Sequence, residues 1–233
     1  MVSRELAKIR QLGTERMVQI YDFGIQARYL RWKKDPLHAY LRSILLKGVP
    51  DCFTNPNAES VSRTAMYVAT EGGAPIYHER VPSTLIPFPV MHFGGSTHFL
   101  SKCALEAQGY VDKSFRAPEG PTVPTGFYQH LRTQEWFMAN GVAEAMEVPV
   151  WKCSDELVTD SQDFSEVTGF IDLFVRIDNR VYICDYKPDA SSAKNKHAIS
   201  QVLKYRDLLH LRTGITDIGC AWFDETDTYI VNI

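Results

Sequence analysis

The chain has 233 residues, 45% of them hydrophobic and 23% charged, with net charge −3. That balance excludes disordered, collagen-like and mucin-like chains, and no apolar run approaches the roughly 18 residues needed to cross a bilayer. The first residues, MVSRELAKIRQ, are charged where a secretory leader would be apolar, so no signal peptide is expected.

The first predicted element is helical and covers residues 3–47, with apolar residues at helical spacing broken only near Gly13, Gly24 and Pro36. Residues 1–50 also carry ten Lys/Arg against four Asp/Glu, a balance of +6, which leaves −9 for the remainder. A basic arm on an acidic body suits a polyanionic substrate beside a metal site, and equally a basic helical surface with acidic loops. Arg28, Arg31, Lys33 and Lys34, interleaved with Tyr29 and Trp32, are the candidate DNA-binding group, pairing phosphate contacts with stacking surfaces. A solvated helical face with anchoring aromatics would look the same.

Residues 48–120 read as short strands and loops punctuated by Gly72-Gly73, Gly94-Gly95, Pro82, Pro87 and Pro89. The best boundary is APEGPTVPTG at 117–126. It divides an N-terminal helical and mixed region, 1–118, from a core at 119–233. Within the core a helix is predicted over 127–140, closed by Gly141, then a turn over 142–146 and a strand over 147–153. An acidic loop at 154–166 precedes strands at 168–177 and 180–187, a helix at 197–211 and two strands in 217–233. This order makes the fold class α/β. Cys52, Cys103, Cys153, Cys184 and Cys220 form no CxxC pair and are odd in number, so reduced thiols are expected rather than a zinc ribbon, iron–sulfur cluster or disulfide scaffold.

Asp178-Asn179 fits a two-residue hairpin turn, because both residue types tolerate positive φ. Pairing Ile177 with Arg180 then sets a register in which facing numbers sum to 357. Asp172 falls opposite Asp185, where two like charges repel and a divalent cation would reverse the sign. Lys187 lies one step beyond Asp185 on the same face. A salt-bridged network at a sheet end would use the same three residues.

Gly169-Phe170-Ile171-Asp172, then Asp185-Tyr186-Lys187, then Gln201-Val202-Leu203-Lys204-Tyr205 resembles the GxxD…(D/E)xK…QxxxY signature of RecB-like nucleases in the PD-(D/E)XK superfamily. Upstream, Gly126-Phe127-Tyr128-Gln129-His130 is similar to the GxxxH helix motif of the RecB and CRISPR-adaptation branch. The resemblance covers about 121–233 and leaves the first 120 residues unmatched. It implies a restriction-endonuclease-like mixed central sheet flanked by helices; the mainly helical N-terminal part, read from its apolar spacing, lies outside the resemblance.

The resemblance also implies a DNA nuclease that uses Mg²⁺ or Mn²⁺, read as an exonuclease of replication, recombination or repair acting inside the cell. Asp172, Asp185, the Tyr186 carbonyl and His130 would be the metal ligands. Lys187 would orient the attacking water and stabilise charge on the phosphorane, with Gln201 and Tyr205 positioning the cluster or the DNA backbone. Hard oxygen donors suit such ions, and bound metal lowers the pKa of water. Glu147 and Glu135 are rivals to His130, because some relatives place a glutamate there.

Three departures stand out. Pro188 follows the lysine where relatives carry Thr or Ser, the four-cysteine cluster is absent, and no GxxxxGK[ST] loop occurs, so no ATP is expected. His92, His98 and His78-Glu79 fit no standard zinc spacing. The rival from another class is a catalytically inactive nuclease-fold DNA-binding or scaffold protein. Homo-oligomerisation is left open.

Overall fold

Burial at period two marks the start of the chain, over residues 5–8. In the computed structural model, which describes residues 1–12, 15–31, 35–61, 70–71, 74–75, 90–109, 125–153, 166–191 and 198–231, β1 (Val2–Leu12) and β2 (Glu15–Ile25) form an antiparallel hairpin. This corrects the helix expected over 3–47. Leu6 and Lys8 of β1 and Phe23 and Ile25 of β2 are buried, while Glu5 and Ala7 are exposed. Cross-strand pairing and burial at period two outweigh the helix propensity of Leu, Ala, Lys and Arg. Among the described residues of this region the one α-helix is α1 (Pro36–Lys47), capped by Asp35, whose carboxylate accepts from His38 N, and ended by Gly48 at φ +84.

The sheet is mixed and nine-stranded. Its path runs β1, β2, β7 (Ala143–Lys152), β8 (Val167–Ile177), β9 (Arg180–Tyr186), β10 (Ile218–Phe223), β11 (Thr228–Val231) and β6 (Val90–Phe93), with β3 (Glu59–Ser60) beside β8. A separate two-strand ladder joins β4 (Thr70–Glu71) to β5 (Ala74–Pro75). Strands from both sides of the expected 118/119 boundary thus share one sheet. The boundary itself, with residues 154–165 of the acidic loop expected at 154–166, lies outside the described residues. Strand β7 starts at Ala143, not at Glu147 as expected, and takes in the segment read as a turn.

Helices cover both faces. Residues of α1 and α4 (Ala198–Thr213) pack with Ile171, Phe174, Ile183 and Trp222 in one apolar cluster. Residues of α2 (Phe99–Gln108) and α3 (Thr125–Ala139) pack with Leu173, Cys184, Tyr186 and Phe223 in the other. Leu173, Phe174 and Val175 of β8, and Ile183 and Cys184 of β9, alternate between the two clusters, which makes these strands central. The chain order is α3, antiparallel β7–β8–β9, α4, then β10 parallel to β9, and residues of α3 and α4 line one cavity with Glu147 of β7 and Asp172 of β8.

Candidate metal centre and its cavity

The β8–β9 turn sets the site. Asp178 and Asn179 sit at φ +49 and +68, and the ladder pairs Ile177 with Arg180 through to Leu173 with Cys184, so facing numbers sum to 357 as expected. One step further Asp172 meets Asp185. On the other side, Met146 pairs with Leu173 and Val148 with Ile171, which brackets Glu147 against Asp172. Glu147, Asp172 and Asp185 thus form a row across three adjacent strands. Parallel pairing continues it with Trp222 opposite Asp185.

Glu147 has φ +47, unusual for a residue with a Cβ inside a strand. Its neighbours Ala145 and Val148, three apart, join the same apolar cluster, so the alternation breaks here. A costly backbone conformation held by its surroundings points to a functional position. Gln134 of α3 donates to Glu147 Oε1 at 2.7 Å.

His130, on the first half of α3, places Nδ1 3.6 Å from Asp172 Oδ2 and Nε2 3.9 Å from Glu147 Oε1. One ligand atom from each of His130, Glu147 and Asp172 lies within 4.8 Å of the other two. Asp172 Oδ2 also accepts from Tyr186 N at 3.2 Å. Burial alone would depress the His130 pKa, but the Asp172 and Glu147 carboxylates outweigh it and lift the imidazolium to about 9.

Asp185 is turned toward Lys187, whose Nζ stands 2.8 Å from Oδ1. The contact is an ion pair without hydrogen-bond alignment, and both Asp185 oxygens are buried with no hydrogen-bond partner among the described residues. Burial pushes this carboxyl up to about 8, Lys187 pulls it down and Asp172 pushes it up again. Lys187 itself is disfavoured as a cation by burial, but Asp185 and Asp172 more than compensate and raise its pKa. A buried carboxyl set between one ammonium and a second carboxyl is costly as an anion unless something else binds it. This donor set of carboxylate oxygens and one imidazole fits a divalent metal.

Gln201 and Tyr205 share the buried face of α4, with Gln201 Nε2 donating to Tyr205 Oη at 3.1 Å. Burial, then Asp172 and Asp185, holds the Tyr205 phenol neutral. Gly169 explains itself here: a Cβ would lie 2.6 Å from Tyr205 Cε1 and 2.9 Å from Val61 Cγ2. Only glycine lets the ring cross the strand at this point.

All these side chains except Asp185 line one cavity of about 640 Å³, together with Glu135, Tyr186, Pro188 and Lys8. Lys8 was missed from sequence. It is buried and donates to Ser60 Oγ and the Thr168 carbonyl, each at 3.2 Å. Its signal was the inward alternation of Leu6 and Lys8 along β1, hidden by the helical reading. Gln19, Ile20, Tyr21 and Asp22 of β2 form the opposite wall.

Of the basic group, neither Arg28 nor Arg31 lines this cavity. Arg28 Nη2 donates to the Gly141 carbonyl at 2.9 Å, and its guanidinium lies 4.9 Å from the Tyr29 ring centre. Arg31 is exposed on the same 3₁₀ turn, Ala27–Arg31, and Lys33 and Lys34 lie outside the described residues. His92 pairs with Asp227, and His98 caps α2. No helix among the described residues is long and apolar enough to cross a membrane. Compared with known proteins, the chain matches no protein-family model and no curated sequence.

Proposed function

We propose that the protein is a divalent-metal-dependent DNA nuclease of RecB-like, PD-(D/E)XK type, an exonuclease working on DNA inside the cell. The observation that carries this reading is the row Glu147–Asp172–Asp185 with Lys187 at its end and His130 against Asp172 and Glu147. The order of α3, a three-strand antiparallel meander, α4 and a parallel strand supports the finer reading of the core as restriction-endonuclease-like.

In this reading Asp172, Glu147 and His130 hold Mg²⁺ or Mn²⁺, with Asp185 beside them. When bound, the metal lowers the pKa of water and screens the phosphate. The chain's own groups do the rest. Lys187 orients a water through its ammonium and places positive charge where the phosphorane becomes negative. Tyr205, kept neutral, offers a hydroxyl to the cluster or the DNA backbone, and Gln201 fixes its direction. Gln134 holds Glu147 in place, and the β1–β2 hairpin narrows the approach.

The test is incubation of the full chain with end-labelled linear DNA and a closed circle in Mn²⁺. Degradation of the linear substrate, abolished by EDTA, with the circle intact, is the expected result. Binding of DNA without cleavage in Mg²⁺ or Mn²⁺ would instead identify a nuclease-fold protein without activity.

A further inference from the structure

Cys52 and Cys153 are 101 positions apart in the chain, yet their Sγ atoms stand 3.2 Å apart. We propose that they form a reversible disulfide, a modification site whose oxidants are low-molecular-weight disulfides such as oxidised glutathione. The inference is independent of the nuclease reading.

Bonded sulfurs lie about 2.05 Å apart, so closure needs the two Sγ atoms to approach by roughly 1.2 Å. The two positions are held by packing. Cys52 sits in the 3₁₀ turn Asp51–Phe53, and Phe53, fully buried, meets the rings of Trp151 and Phe170 edge-on at 5.9 and 5.4 Å. Trp151 is two residues before Cys153, at the end of β7. The same aromatic cluster thus fixes both thiols.

The other three cysteines offer a contrast. Cys103, Cys184 and Cys220 are buried, and burial raises all three thiols, Cys103 to about 11 and Cys220 to about 12. They are poor sources of thiolate. Cys52 is buried as well, but Cys153 is partly exposed, so oxidant reaches Cys153 first.

The step balances. The Cys153 thiolate attacks one sulfur of the oxidant, its S–S bond breaks and one thiol leaves. The Cys52 thiolate then attacks Cys153 Sγ and expels the second thiol. The protein loses two hydrogens and two electrons, and the oxidant becomes two thiols. The bond ties the turn before β3, the strand carrying the Ser60 that receives Lys8, to the end of β7.

The test treats the full chain with oxidised glutathione, then maps peptides by mass spectrometry without reduction and measures thermal unfolding with and without dithiothreitol. A Cys52–Cys153 linked peptide and a Tm raised by roughly 5–15 °C, reversed by dithiothreitol, are expected, because the closed loop is long. Cys153→Ser should show neither. The wild-type comparison with and without dithiothreitol decides the matter even where that variant folds poorly. Glutathione retained on Cys153 as a stable mixed disulfide, or two unmodified thiols, would overturn the proposal.

Discussion

The Lys187 ammonium stands 2.8 Å from Oδ1 of Asp185, a carboxylate whose two oxygens are buried without an aligned hydrogen bond among the described residues. Such an anion is held against its solvation preference. Burial, the largest cause, raises its pKa from 3.8 to about 8 in the folded chain. Between these values the metal-free fold keeps a proton that the unfolded chain releases. Stability is therefore highest below about pH 4 for this group and declines as pH rises toward 8. Asp185→Asn should leave Tm nearly unchanged at about pH 4 and raise it by several degrees at about pH 9 in EDTA. Differential scanning calorimetry at the two pH values checks this, and a lower Tm for the variant at the higher pH would contradict it.

Metal binding should be coupled to protons. His130 carries a proton up to about pH 9 in the metal-free protein, and a metal takes only the neutral imidazole. Mn²⁺ affinity should therefore climb with pH through neutrality, with proton release visible by calorimetry in buffers of different ionisation enthalpy. His130→Ala should reduce the preference for Mn²⁺ over Mg²⁺, since the nitrogen donor is what favours Mn²⁺. Gln134→Ala frees the Glu147 carboxylate from its 2.7 Å donor and should weaken Mn²⁺ binding by about tenfold or more.

Gly169 is a steric requirement of the same site. Alanine there would drive a methyl group into the Tyr205 ring and Val61, at a cost of roughly 1–3 kcal/mol. Gly169→Ala should lower the urea midpoint and reduce activity, and pairing it with Tyr205→Leu should recover stability but not activity. An unchanged midpoint in the single variant would show that the ring moves aside freely.

The β8–β9 hairpin was legible because its information is local. Asp178-Asn179 specifies the turn, the turn specifies register, and register brings Asp172 to Asp185. The N-terminal hairpin was not, because among the described side chains of β1 the buried pair is one apolar residue, Leu6, and one charged residue, Lys8, so the period-two signal is weak. The start of β7 was missed for a different reason. Residues Ala143–Met146 are buried on both faces and include Glu144, so no alternation marks them. Glu144 is paid for by partners remote in sequence, Arg176 Nε at 2.5 Å and His38 Nε2 at 3.0 Å. Likewise nothing in the sequence announces the positive φ that turns Glu147 into the row.

The most direct measurement is single-turnover cleavage of end-labelled linear DNA in Mn²⁺ by the wild-type chain, Asp172→Ala, Asp185→Ala and Lys187→Ala, each first verified as folded. The account predicts EDTA-sensitive cleavage by the wild type, none detectable from either aspartate variant, and a loss of about 10²–10³-fold without the lysine. Cleavage by Asp185→Ala at the wild-type rate would contradict it.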